Sequence, residues 1–222
     1  FRCLNYYNNT VITIPLDPTL SAQENAVRYF DKYNKQKRTF EATSRQLEQT
    51  EAEIEHLESI SPFLDIARKE EDLAQIKEEL TEYGYIKRHF SGGKKQKKAV
   101  SRPFHYLSSD GFHIYVGKNN YQNEELTFKL ASGNDWWFHA KGIPGSHIIV
   151  KTEGKELPVR VFEEAGALAA YYSRGRGQDK VEIDYIQKKN LKKVPGAAPG
   201  FVVYHTNYSL VAAPEIPVKE IE

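Results

Sequence analysis

Asp135-Trp136-Trp137-Phe138-His139-Ala140-Lys141 has the composition of a β-strand with two unlike faces. Alternate side chains of a strand point to opposite faces, so Trp136, Phe138 and Ala140 lie on one side and Asp135, Trp137, His139 and Lys141 on the other. The first side reads as core. The second combines an indole, an imidazole and an ammonium, which make either a platform for stacking bases and holding phosphate or a buried tryptophan beside a structural histidine. Strand-like segments surround this one: 112–116, 126–131 and 147–151, then 181–185, 201–205 and 208–212. Between the two groups a helix is expected after Pro158, with Val161, Ala165, Leu168, Ala169 and Tyr172 on one face. Four strands, a helix and three strands predict a compact mixed α+β domain over 102–222.

Upstream the period lengthens. Residues 10–16 alternate β-branched and apolar side chains and stop at Asp17-Pro18, so 1–16 reads as the tail of a preceding domain. Ser21 and Glu24 have capping-box spacing and predict a helix start. Apolar residues then recur every seventh position at Ala26, Tyr33, Phe40, Leu47 and Ile54, one full seam row of a coiled coil; the other row is apolar at Phe30 but polar at Lys37, Ser44 and Glu51. Ser61-Pro62 reads as a second helix start, followed by Ile66, Leu73, Ile76, Leu80 and Tyr83 and a Gly84 cap. Two helices turning at 59–62 predict an antiparallel hairpin over 17–88, a coiled-coil arm about 58 Å long at ~1.5 Å per residue, or more plainly a solvated spacer. Residues 89–101, basic and glycine-punctuated, read as a flexible linker that is either a solubilising tether or a phosphate-binding strap.

The 222 residues are 40% hydrophobic and 27% charged, enough for a sizeable core. No run is long enough to cross a bilayer. The single Cys3 excludes an internal disulfide and any zinc site on paired thiolates, and suits a reducing compartment. No methionine is present, so the chain beginning Phe1-Arg2-Cys3 reads as a piece of a longer protein or as a sequence from which methionines have dropped out. The net charge of +1 conceals segregation: 45–82 carries four bases against twelve acids, whereas 87–102 carries seven bases and no acid.

Gly117-Lys118-Asn119-Asn120-Tyr121-Gln122-Asn123 packs four amides and a lysine into what reads as a strand-to-loop turn. Amides donate and accept together, so they suit base edges or sugar hydroxyls while the lysine meets phosphate; self-capping turn chemistry is the plainer reading for one or two of them. Pro144-Gly145-Ser146-His147 offers backbone amides and a hydroxyl to an oxyanion. Lys188, Lys189, Lys192 and Lys193 place four lysines in six positions, a surface loop or a polyanion contact. No nucleophile elbow, P-loop or dinucleotide glycine pattern occurs, and no carboxylate lies at metal-ligand spacing from His139 and His147. The expectation is a non-catalytic protein with no cofactor and no metal.

Asp110-Gly111-Phe112, Val116-Gly117-Lys118-Asn119-Asn120 with Gln122-Asn123, Leu126-Thr127, Asp135 with Trp137-Phe138-His139, and Pro144-Gly145-Ser146-His147 together resemble the NFACT-R domain. This is the RNA-binding module of the NFACT family, which comprises ribosome-quality-control factors and bacterial fibronectin-binding-protein-A-like proteins. Leu16-Asp17-Pro18, Glu24-Asn25-Ala26 and Tyr33-Asn34-Lys35 resemble the start of that family's middle coiled coil. The resemblance implies a bacterial, cytoplasmic factor that binds a large ribosomal subunit still holding peptidyl-tRNA and supports untemplated alanine addition, with large-subunit RNA and tRNA as partners.

Carried onto this chain, it makes Lys118, Asn119, Asn120, Asn123, Trp137, His139, Lys141, Ser146 and His147 the RNA-contact candidates, alongside the four lysines of 188–193. Ile186, Asn190 and Ala198 depart from the family's usual threonine, histidine and basic residue. The competing expectation is a cell-surface adhesin that binds fibronectin or fibrinogen. A third is a structural module whose arm holds a protein partner.

Overall fold

The computed structural model describes residues 1–87 and 101–221, so all of the expected 89–101 linker except Ser101 lies outside the described residues. The chain divides into two compact units, Phe1–Ile54 and Glu55–Glu222.

In the first unit, β1 (Arg2–Asn5) and β2 (Thr10–Thr13) form an antiparallel hairpin, with Asn9 at a left-handed φ of 54° in its turn. The expected capping box is present: the Ser21 N–H donates to Glu24 Oε2 at 2.7 Å and the Glu24 N–H to Ser21 Oγ at 3.2 Å. It opens α1 (Ala22–Ile66). Asn25 is buried because its side chain donates to Asp17 O at 3.0 Å and accepts from Asp17 N at 2.8 Å, tying the helix start to the approaching chain. The heptad residues Tyr33, Phe40, Leu47 and Ile54 are exposed.

The second unit holds the last turns of α1, then α2 (Glu70–Glu82) and a seven-stranded sheet. The helix does not restart at Ser61-Pro62. It runs through Pro62 to Ile66, and the turn falls at 67–69. Proline inside a helix forfeits a hydrogen bond and costs about 3 kcal/mol. Ile60, Phe63 and Ile66, buried at one face of the same turns, offset it by packing into the sheet's core. Asp72 closes the new turn by accepting from the N–H groups of Arg68 (3.0 Å) and Lys69 (3.1 Å). Gly84 stands past the end of α2 at φ 79°, as expected of a C-terminal cap. His56 of α1 meets Glu79 and Tyr85, so the two helices run antiparallel.

The sheet comprises β3 (Phe104–Leu107), β4 (His113–Val116), β5 (Trp136–Ala140), β6 (Ile148–Val150), β7 (Val181–Gln187), β10 (Tyr208–Ala212) and β11 (Lys219–Glu220), antiparallel throughout in the order β10-β7-β5-β6-β4-β3-β11. A separate small hairpin joins β8 (Lys192–Lys193) to β9 (Val202–Val203). The fold is α+β as expected, a helical hairpin leading into an antiparallel-sheet domain. Strands β3 and β11 had no counterpart among the expected ones.

Residues 126–131 are not a strand. α3 (Asn120–Glu125) continues into a π-helical turn, Leu126–Leu130. The buried positions 119/120, 122/123 and 126/127 recur at helical spacing. Because four of those side chains are amides, hydropathy does not reveal the helix.

One face of the sheet packs on α4 (Val159–Tyr171) and on the hairpin residues Ile60, Phe63, Ile66 and Ile76, which share a single core with Phe138, Ile148 and Tyr172. The opposite face carries a second cluster of Leu126, Trp137, Ile149, Ile186 and Leu191, packed against Tyr204. The base of the hairpin thus belongs to the core of the sheet domain, although the sequence suggested a division at 88 and 102. Replacing Phe63 by Ala should destabilise the sheet domain by about 3–5 kcal/mol in urea unfolding followed at the tryptophans; an unchanged midpoint would mean that the hairpin is not part of that core.

Candidate nucleic-acid interface

Asn119 caps α3 through its side-chain oxygen, which accepts from Gln122 N at 2.9 Å. The cap turns the remaining amides inward, and each finds protein partners. Gln75 Oε1 of α2 accepts from Asn119 Nδ2 at 2.7 Å and from Gln122 Nε2 at 2.9 Å. Asn120 Nδ2 donates to Ser59 Oγ and Glu79 Oε1, both at 2.8 Å. Glu79 is fully buried; its Oε1 also bonds His56 Nε2 at 3.0 Å, and its Oε2 has no hydrogen-bond partner among the described residues.

On the other side of α3, Asn123 accepts from His147 N at 2.9 Å and donates to Gly145 O at 3.3 Å. Ser146 Oγ donates to Gly117 O at 2.6 Å, and His147 Nδ1 shares a 2.7 Å bond with Thr127 Oγ1. Gly117 is obligatory here because a Cβ would stand 2.1 Å from Asn123 Oδ1. Lys118, only 8% exposed, lies 4.2 Å over the Phe104 ring and 3.4 Å from Asp72 Oδ1. Burial opposes ionisation of Asp72, but hydrogen bonds from Ser101 and the Arg68 and Lys69 N–H groups, with the Lys118 charge, hold its carboxyl below the ordinary 3.8.

The expected contact residues therefore separate into two groups. Lys118, Asn119, Asn120, Asn123, Trp137, Ser146 and His147 are buried, and His139 is half-buried with its ring stacked on Trp137. The face of β5 that offered a base platform is the second core, roofed by Tyr204, whose hydroxyl donates to Asp184 at 2.9 Å. Lys141, Lys189, Lys192 and Lys193 are exposed and Lys188 is half-buried; Lys141 pairs with Glu182 at 2.5 Å and Lys193 with Glu124 at 2.6 Å. Leu191, buried in the second core, anchors the lysine segment while its neighbours face solvent.

Sequence reasoning missed the α2 side of this network. Its signal was the spacing of Asp72, Gln75, Ile76 and Glu79, which puts three polar groups and one apolar group on a single helical face. Among the described residues, no cluster of three or more His, Cys, Asp or Glu side chains is arranged to hold a metal, and no helix is long and apolar enough to cross a membrane.

Burial holds His139 down to about 4, and burial together with the neighbouring His139 holds His147 well below the ordinary 6.5. Both rings are neutral at pH 7. As pH falls below 6.5, the unfolded chain takes up protons that the folded chain refuses, so stability declines. Urea midpoints should therefore fall between about pH 7.5 and about pH 5, and the His139→Gln/His147→Gln variant should give a flatter profile. An equally steep profile in the variant would contradict this assignment.

The NFACT N-terminal and middle domains model matches residues 1–99, and the NFACT protein RNA binding domain model matches residues 102–205. The Rqc2 homolog RqcH of Streptococcus pneumoniae serotype 2 is 42% identical over 212 residues, covering 95% of this chain and 38% of that protein. The Rqc2 homolog RqcH of Bacillus subtilis is 37% identical over 215 residues, covering 96% of this chain and 37% of that protein. The chain thus spans a little over a third of the length of these relatives. The solved C-terminal structure of the fibronectin/fibrinogen-binding protein from Streptococcus suis superposes with a TM-score of 0.77 at 40% identity, covering 89% of this chain and 78% of that one. The chain belongs to the NFACT family, and residues 102–205 are its RNA-binding domain.

Proposed function

We propose that this chain is the non-catalytic, RNA-gripping part of a bacterial, cytoplasmic ribosome-quality-control factor. The observation that carries the reading is the lysine segment of 188–193, exposed at Lys189, Lys192 and Lys193 and anchored by Leu191 on a domain of an RNA-binding family. Ammonium groups fixed at one edge neutralise backbone phosphates and release counterions, which gives affinity without reading sequence. Lys141 adds a further charge at an exposed position. The buried amides and histidines are proposed to shape this surface rather than to touch RNA, since their polar atoms are already bonded inside the protein.

The curated relatives, each named Rqc2 homolog RqcH, support the ribosome-quality-control role; the proposal extends it to a factor that engages large subunits retaining peptidyl-tRNA and assists alanine tailing. A second reading, adhesion to fibronectin or fibrinogen, is favoured by the similarity to the fibronectin/fibrinogen-binding protein of Streptococcus suis.

Filter-binding titrations of large-subunit RNA and tRNA at two salt concentrations separate these readings. Wild type should lose affinity steeply as salt rises. Replacing Lys188, Lys189, Lys192 and Lys193 by Ala should weaken binding about tenfold or more at low salt and flatten the slope by roughly 0.7–0.9 per phosphate contact removed. Absent or salt-insensitive RNA binding beside saturable fibronectin binding would overturn the ribosomal reading in favour of the adhesin.

A further inference from the structure

One part of the sheet's second face lies at the margin of the second core, against which Tyr115 packs. Phe104, Tyr106, Ile114 and Val116 point into the main core, so the alternate residues His105, His113 and Tyr115 stand on the opposite face of β3 and β4. There the His105 ring lies flat against Tyr115, with centroids 4.3 Å apart and planes within 10°, while His105 Nε2 bonds His113 Nδ1 at 2.8 Å. Burial and the neighbouring His113 push His105 below the ordinary 6.5, which favours the neutral form of the stacked ring.

Beside Tyr115 a cavity of about 290 Å³ opens between β4 and the π-helical turn, walled by Pro103, Tyr115, Leu126 and Leu130, with Glu125 and Lys129 also lining it. It lies just below the ~300–1,000 Å³ range of ligand pockets, so it suits one planar group rather than a larger ligand. Its aromatic wall is already supported by His105. Lys129, whose ammonium is 3.9 Å from Glu125 in a largely solvent-exposed pair, can turn toward an anion at little expense. The exposed Arg102 precedes Pro103 in the chain. An apolar slot with an aromatic wall and cations near its mouth complements a nucleotide, whose base is flat and whose phosphate is anionic.

We infer that the cavity between Tyr115 and Leu130 is a subsite for one unpaired base of a bound RNA strand, the base lying against Tyr115 and the adjoining phosphate meeting Lys129. This rests on the RNA-binding reading above and adds a stacking contact to what would otherwise be a purely electrostatic grip. Duplex RNA, whose bases are stacked and paired, should not enter.

The test uses the full chain and a short oligoadenylate carrying one 2-aminopurine, with duplex RNA as control. Wild type should quench the 2-aminopurine. Tyr115→Leu should lose the quenching and bind the single strand about tenfold more weakly or worse, without changing the salt slope or duplex affinity; Tyr115→Phe should retain both properties. Leu130→Gln, at a position 40% exposed, makes the slot's wall polar without adding a ring and should behave like Tyr115→Leu even if the latter folds poorly. If wild type binds RNA but both slot variants quench and bind as it does, the subsite is overturned and the RNA-binding reading stands. If wild type binds no RNA, both readings fall.

Discussion

A fully buried carboxylate sits where the helical hairpin meets the sheet domain. Glu79 Oε1 takes a hydrogen bond from the Asn120 amide and contacts His56 Nε2, joining α1, α2 and α3 at one point. Burying such a group is costly unless neighbours complete its bonding, and removing a single partner leaves the remainder unsatisfied in a medium of low dielectric. The arrangement therefore requires α3 to face inward with its amides. That orientation follows from the Asn119 cap, and it needs the bare backbone of Gly117 to let Asn123 approach. From Asn123 the bonding continues through His147 and Thr127 into the second core beneath Trp137.

Two apolar cores lie on opposite faces of one sheet, linked by this polar layer. The polar residues with the most donor and acceptor capacity are spent on internal bonding. Two features that stay accessible on this domain are the lysine segment held by Leu191 and the slot beside Tyr115. Charge and stacking are separate contributions to RNA affinity: the first weakens with salt, whereas the second depends on exposed base faces. A domain using both would hold RNA tightly while favouring unpaired strands.

The sequence made the apolar parts of the fold legible. Trp136–Ala140 and Tyr208–Ala212 form strands where alternation placed them, and the helix after Pro158 is α4. The Ser21 capping box opens α1 because it is a local device whose partners lie three residues apart. Longer-range burial was not readable. Pro62 looked like a helix start because only tertiary contacts of Ile60, Phe63 and Ile66 carry the helix across it. Residues 126–131 alternate like a strand, yet their buried neighbours upstream are amides, which composition assigns to a turn. The same disguise affected the site. Side chains chosen as RNA contacts for their hydrogen-bonding capacity use that capacity within the protein, while the lysines, marked by density alone, stand largely at the surface.

The Glu79–Asn120 layer should make the hairpin base and the sheet domain unfold as one body. Native-state hydrogen exchange on the full chain, read amide by amide in low urea, addresses it directly. Amides of Glu70–Glu82, of the π-helical turn Leu126–Leu130 and of β5 should exchange through a single opening whose free energy equals that of global unfolding. If α2 amides open at a much lower free energy while β5 stays protected, the hairpin is an appendage and the account is wrong.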